Sequence, residues 1–370
     1  MPLVSNKQYE FEYNPIKYKN NTIHPNIELV RWECIKTAKI KIVDILKKNN
    51  IKPIKGDLDT NVENLMARIM FDVFSSDVKE LDDGLLNFSD KSLLNDLTNT
   101  FIIDNINVLF SNIKTFIENH FKSYLNKIEN IDCTEKHKCH SSIKKNKFIV
   151  SYNNHIIWIP ITIYNKLKKR YKEHGDKKIK LNDIVTCLCL RYDALSSIGN
   201  QMGIPIQVKE QLKKCGVDFE GFASAFNHHC YYYCSMFYDI EKHFGSLGLY
   251  QNIKYIRGTF MLNPPYEKNL LHRMVDKIIT SLSSKKKLCF IFGTPSWDNY
   301  SDIYFHKKAS SSKYFKIKYK FNNYQVWWYD FIYEKYIKIP SSTRYILANY
   351  DMDLDCLKKA IQFWIDLIIF

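Results

Sequence analysis

Between Tyr255 and Pro295 the chain reads as an apolar run, "YIRGTFML", a rigid step, "NPPY", an amphipathic stretch, "EKNLLHRMVDKIITSL", and a second apolar run, "KLCFIFGTP". This succession constrains the fold more than any other feature. Proline lacks a backbone donor and fixes its own φ, so Pro264-Pro265 must end the first run as a strand. The spacing of Leu270, Leu271, Met274, Val275 and Ile278 is helical. Strand, helix and strand in this order predict a parallel crossover, and hence an α/β sheet. "CGVDFEGFAS" adds a buried strand over Val217–Phe222 that ends in small residues. In such sheets ligands bind at the carboxyl ends of the strands, which puts Glu220–Ser224, Asn263–Tyr266 and Thr294–Trp297 on one functional edge.

The first third reads differently. Leu109, Phe110, Ile113, Phe116, Ile117, Phe121, Leu125 and Ile128 recur at three and four, and "RWECIKTAKIKIVDILKK" and "NVENLMARIMFDVF" share that period. Residues 129–147 are polar and read as a linker, followed by a hairpin turning at Asn153-Asn154. The expected division is a helical accessory domain, 1–145, and a sheet domain, 146–370.

Charge narrows the partner. Of the net +15, residues 1–150 hold 22 Lys/Arg against 20 Asp/Glu, whereas 151–370 hold 32 against 19. A positive field on the half that carries Asn-Pro-Pro-Tyr favours a polyanion. In "SSKYFKIKYKF", Lys316, Lys318 and Lys320 alternate with Phe315, Ile317 and Tyr319, as in a strand that tracks phosphates or in a charged edge strand that resists aggregation. Trp297, Trp327 and Trp328 are candidates for stacking on a base, with core packing the alternative for at least one of them. Ten irregularly spaced cysteines suggest buried thiols in a reducing compartment. "CTEKHKCH" fits no common zinc spacing, so no metal is expected. No apolar run reaches the roughly eighteen residues of a membrane span. The expectation is a soluble intracellular protein, of nucleus, cytoplasm or a viral factory, with no membrane partner.

The rigid step suits methyl transfer to a nitrogen of adenine, guanine or a glutamine side chain, with a chance strand-ending turn as the alternative. The exocyclic amine of adenine is a poor nucleophile because its lone pair is delocalised into the ring. The Asn263 side-chain oxygen and the Pro264 carbonyl can each accept one of its hydrogens, Pro265 keeps that carbonyl aimed, and Tyr266 offers a face for the base. Glu220 is placed to hold a cofactor ammonium, and Asp239 or Glu241 to bond ribose hydroxyls.

"FEGFASAFN", "YCSMFYDIEKHFGSLG", "GTFMLNPPYEKNL" and "FIFGTPSW", in this order and spacing, resemble the phosphorylated-CTD-interacting factor family, the cap-specific adenosine N6-methyltransferases. The resemblance is dense over 215–300 and implies a class I, Rossmann-like methyltransferase domain beside a helical domain, with capped RNA in the groove between them. It implies transfer from S-adenosyl-L-methionine to N6 of the first transcribed adenosine beside a 7-methylguanosine cap. Asn263, Pro264, Pro265 and Tyr266 match its catalytic motif, and Glu220, Phe222, Ser224, Asn227 and Asp239 its cofactor-side blocks. Tyr266 stands where the family has Phe, Ser224-Ala225-Phe226-Asn227 where it has Ser-Pro-Leu-Asn, and Ser296 where it has Glu. No N-terminal WW module is recognised, which places recruitment to phosphorylated polymerase tails in doubt. The alternatives are transfer to internal RNA or DNA adenines, transfer to a protein glutamine, and a capped-RNA-binding module whose cofactor site has decayed.

Overall fold

A computed structural model describes residues 2–19, 22–75, 79–195, 199, 201–284, 286–296 and 304–369; Trp297 lies outside them. The chain forms two compact units, one of 1–16, 201–241 and 245–370, the other of 17–200 and 242–244. This division differs from the boundary expected near residue 145.

The first unit is built on an eight-stranded sheet. Its strands are β1 (Leu3–Ser5), β2 (Glu10–Tyr13), β3 (Val217–Glu220), β4 (Tyr232–Tyr233), β5 (Ile253–Leu262), β6 (Leu288–Pro295), β7 (Phe315–Phe321) and β8 (Ser342–Ala348). β4, β3, β5 and β6 run parallel, and β8 pairs antiparallel with both β6 and the edge strand β7. All eight residues of β6 are buried, as expected for a strand covered on both faces. Helices α1 (Ile206–Lys214) and α4 (Asp355–Ile365) cover one face, and α2 (Lys268–Leu282) and α3 (Tyr304–Ser310) the other.

The α2 helix forms where its periodicity places it. Glu267 caps it, accepting from the amides of Asn269 at 2.9 Å and Leu270 at 2.6 Å. Leu270, Leu271, Met274, Val275, Ile278 and Leu282 are buried on one stripe. Each such side chain contributes about 1.5–3 kcal/mol of burial, so no single loss would unmake the helix.

β5 changes partner midway. Its first half pairs antiparallel with β2, and its second half pairs with β3. Gly258, at φ 135°, sits at the change, where a Cβ would meet the Tyr9 ring at 2.6 Å. Tyr9 itself bridges the neighbouring strands, accepting from the Asp218 amide at 2.5 Å and donating toward Thr259 O at 2.8 Å. Residues 1–16 therefore complete this sheet rather than joining the helices that follow them.

One cysteine expectation is corrected. Cys215, at the end of α1, and Cys356, in the first turn of α4, form a disulfide with Cα atoms 5.6 Å apart. Packing of the two helices brings together residues 141 apart in sequence. Of the eight free cysteines, only Cys133 is exposed.

The second unit is mostly helical, with helices Pro25–Lys48, Leu58–Ser75, Asp90–Thr100, Ile106–Glu129, Ile161–His174 and Leu181–Leu195. Buried charges tie it together. Arg31 donates to Asp83 at 2.8–3.0 Å, and Arg191 grips Glu28 at 2.5–2.7 Å. Burial alone would raise the Asp83 carboxyl, but Arg31 and Arg191 outweigh it and hold it below the ordinary carboxylate range. The stretch expected to be a linker contains a strand, His140–Lys144, which pairs with Lys147–Tyr152; that strand turns at Asn153 (φ 51°) into His155–Pro160. All five residues of His140–Lys144 are exposed, so no alternation marked it in the sequence. No helix among the described residues is long and apolar enough to cross a membrane.

Candidate active site

The strand order reverses between β3 and β5: the chain leaves β3 outward to β4, then crosses to β5 and continues to β6. A crevice opens at such a switch point, at the carboxyl ends of the strands. Glu220 ends β3, and Asn263-Pro264-Pro265-Tyr266 follows directly on β5. Glu220, Asn263 and Thr294 thus lie at the carboxyl ends of the neighbouring parallel strands β3, β5 and β6.

Asn263 and Tyr266 are half-buried, Pro264 buried and Pro265 exposed. Sequence reading missed what holds the two side chains. Arg344, on β8, points its guanidinium at both: Nη2 donates to Asn263 Oδ1 at 3.3 Å and Nη1 reaches the Tyr266 hydroxyl at 3.5 Å. A guanidinium only donates, so the Asn263 amide is held with its oxygen toward Arg344. The oxygen keeps acceptor capacity for a second donor.

Arg344 is itself unusual, being 3% exposed. Among the described residues no carboxylate pairs with it, and its Nε has no hydrogen-bond partner. Three aromatic faces stabilise the charge instead, with Trp364, Trp328 and Phe321 at 5.1, 5.2 and 5.9 Å from Cζ. Gly293, its cross-strand partner on β6, leaves room for the group, because a Cβ there would collide with Arg344 Nη1. A small cavity beneath Asn263 is lined by Met261, Gly293, Arg344, Ile361 and Trp364 among others. The sequence did carry two signals: a glycine inside the strand "FIFGTP" and an arginine inside the apolar run "TRYILA".

On the β3 side the loop 221–227 is closely braced. Gly221 donates to Met261 O at 2.8 Å, and a Cβ there would collide with Leu262. The Ser224 hydroxyl accepts from the amides of Phe226 and Asn227 at 3.1 Å and donates to Gln201 at 2.6 Å. Asn227 Oδ1 accepts from the Ser224 amide at 2.8 Å. Ser224 and Asn227 thus shape the loop through each other. Phe222 is half-buried against Tyr250, with ring centroids 4.3 Å apart. Glu241 accepts from the amides of Ala225 at 2.6 Å and Phe237 at 3.2 Å, so its carboxylate braces backbone; Asp239 is buried on the same short helix, Tyr238–Glu241.

Glu220 differs from its expected surroundings. Its carboxylate is paired with Lys209 Nζ at 3.0 Å, with both side chains about 5% exposed, and it also accepts from the His229 amide at 3.3 Å. Lys209 donates in addition to Asn227 O at 2.9 Å, linking α1 to the loop. The protein supplies an ammonium of its own to the acid that was assigned a cofactor's.

The lysine strand is partly as expected. β7 is an edge strand, with Lys318 and Lys320 exposed and Lys316 half-buried. The register shifts between Phe315 and Ile317. Phe315 consequently packs with the core under α2 and α3, while Ile317 and Tyr319 pack with the core under α1 and α4. The three aromatic and aliphatic residues therefore do not share a face. Among the described residues no group of three His, Cys, Asp or Glu is placed to hold a metal.

An α/β sheet with an Asn-Pro-Pro-aromatic step at its switch point defines a class, a protein built to bind ligands across that crevice. Residues 162–330 match the family model described as phosphorylated CTD interacting factor 1 WW domain. Over 123 residues the chain is 37% identical to the mRNA (2'-O-methyladenosine-N(6)-)-methyltransferases of Homo sapiens and of Mus musculus. Each match covers 30% of this chain and 17% of the relative, so the chain is compared with under a fifth of those proteins. Over this segment the chain is similar to the phosphorylated-CTD-interacting factor family. The family model's description names a WW domain, against the expectation that no such module is present.

Proposed function

We propose that the chain is an S-adenosylmethionine-dependent RNA methyltransferase acting on N6 of the first transcribed adenosine beside a 7-methylguanosine cap. The observation that carries this reading is the position of Asn263–Tyr266 at the carboxyl end of β5, at the switch point, with Asn263 Oδ1 fixed by Arg344. The parallel run β4-β3-β5-β6, covered by helices on both faces, supports a Rossmann-like methyltransferase domain. The names of the curated relatives support the substrate.

Asn263 Oδ1 and the Pro264 carbonyl accept the two N6 hydrogens and localise the nitrogen lone pair. Their acceptance strengthens as positive charge grows on that nitrogen, so they favour the transition state over the bound base. The Arg344 charge would oppose that growth; the negative faces of three rings partly offset its field while the hydrogen bond keeps the amide from rotating. Tyr266 stacks on the base, a contact of about 1–3 kcal/mol.

The residues present fit the cofactor. Gly221 allows close backbone approach, and loop 221–227, which carries Phe222, is pre-formed by Ser224, Asn227 and Glu241. When bound, S-adenosylmethionine supplies an electrophilic methyl group. Asp239 holds ribose hydroxyls, and Glu220 acts through its pair with Lys209. Lys318 and Lys320 are exposed to phosphates at the sheet edge. The protein works inside the cell, where capped RNA is found. Digestion of product RNA to nucleosides, with mass spectrometry, tests the reading. N6-methylated first adenosine is expected; methylation at internal adenines alone would favour the alternative substrate.

A further inference from the structure

A long acid-free stretch of positive charge belongs to the helical unit. Between Glu135 and Glu173 there is no Asp or Glu, and these 37 residues carry ten Lys/Arg. They fold as the three-stranded sheet His140–Lys144, Lys147–Tyr152 and His155–Pro160, followed by the helix Ile161–His174. The two pieces are joined at one corner, where the Ile161 amide donates to Asn146 O at 2.8 Å.

The cross-strand register places Lys144, Lys147, Ile149, Trp158 and Ile156 on one face of this sheet, opposite buried Phe148 and Val150. Ile156 is 64% exposed, and the Lys147 ammonium lies 3.3 Å from the Trp158 ring centroid. On the helix, exposed Asn165, Lys168, Lys169 and Lys172 follow helical spacing, while Ile163, Leu167 and Arg170 face inward. Lys144, Lys145, Lys168, Lys169 and Lys172 are all exposed, and none makes an ion pair among the described residues.

The hairpin tip adds a separate sign. Lys145 (φ 46°) and Asn146 (φ 59°) are both left-handed, where glycine or asparagine is favoured. The chain keeps a lysine where a residue without a Cβ would be less strained. Such outliers collect where a side chain is needed.

We propose that this sheet face and the exposed lysines of Ile161–His174 form a binding platform for single-stranded RNA. Unpaired lysines suit phosphates, and an aromatic and aliphatic sheet face among them suits unstacked bases. The choice of RNA rests on the proposed function; the polyanion character rests on charge alone.

The test is fluorescence anisotropy with an uncapped twelve-nucleotide oligouridine, which offers no adenine to methylate. Replacing Lys144, Lys145, Lys168, Lys169 and Lys172 by Gln should weaken binding at low salt by more than about tenfold. The plot of log affinity against log salt should flatten by up to about 3.5, since each of the five single-strand phosphate contacts contributes roughly 0.7. Exposed Lys-to-Gln changes leave the fold intact, checked by melting temperature, and S-adenosylmethionine affinity should stay unchanged. If this variant keeps wild-type affinity and slope, the platform is wrong. The platform is equally overturned if only Lys318→Gln with Lys320→Gln flattens the slope, or if the five lysines govern binding to phosphatidylserine vesicles and not to RNA. Loss of RNA binding in a protein that proves unable to transfer methyl groups would sink the proposed function and leave the platform standing.

Discussion

The two compact units divide chemistry and charge. The unit with Asn263 carries 23 Lys/Arg against 17 Asp/Glu, and the other carries 31 against 22. Dividing the sequence at residue 150 assigns nearly all the positive field to the motif's side. The structure redistributes it, because 151–200 belongs to the helical unit. Buried charge differs in kind as well. In the helical unit two arginines meet two carboxylates, a closed set that stabilises the packing. In the sheet unit Arg344 has no carboxylate among the described residues and directs its hydrogen bonds to Asn263 and Tyr266. A buried charge satisfied by acids holds a fold together; one satisfied by an amide and aromatic faces is placed to orient something.

The largest expected effect follows from Asn263. Asn263→Ala should lower turnover by about 10²–10³ with cofactor affinity retained, because the lost contact acts mainly in the transition state. Single-turnover kinetics beside calorimetry checks it; near-wild-type turnover would remove the motif from the chemistry.

Lys209 sharpens the comparison, since its pair with Glu220 is the sheet unit's counterpart of the closed set. Lys209→Met leaves Glu220 buried and uncompensated and should cost about 3–5 kcal/mol in denaturant unfolding. Adding Glu220→Gln should recover most of that. If Glu220→Gln alone weakens cofactor binding without affecting stability, the acid serves the ligand directly.

Arg344→Lys should reduce turnover about tenfold with little change in RNA KM, roughly 1.4 kcal/mol, because a lysine lacks the fork that reaches both side chains. Gly293→Ala should give the same kinetic signature from the opposite strand, its Cβ displacing the guanidinium. A KM effect in either variant would mark Arg344 as a substrate contact instead.

The smallest effect concerns pH. His306 on α3 lies between the Tyr345 hydroxyl at 2.6 Å and Pro295 O at 2.9 Å. The carbonyl accepts from Nε2–H, while the Tyr345 hydroxyl can either donate to Nδ1 or accept from it. Burial lowers its pKa, with the Lys318 charge acting in the same direction. The stabilisation is complete above the ordinary histidine value and is lost as pH falls through the lowered one. His306→Gln should flatten stability between about pH 7 and 5.

Much of the site was legible because it is local. A strand end, a Pro-Pro step and a helix with a regular apolar stripe are written in consecutive residues, and each formed where expected. What escaped depends on distant partners. Arg344 is 81 residues from Asn263, and Lys209 approaches Glu220 only through the packing of α1. The bulge at Phe315 defeats a strict period of two, and the all-exposed strand His140–Lys144 offers no period at all. Sequence alone groups residues 1–16 with the helices because nothing in a short polar strand names its partner; β5 does, by having a free edge below Gly258.

The most direct measurement of the central claim is methyl transfer from labelled S-adenosylmethionine to four matched RNAs, capped and uncapped, beginning with A or G. The account predicts label on the capped RNA that begins with A, lost with Asn263→Ala. Equal labelling of all four, or none with any, would contradict it.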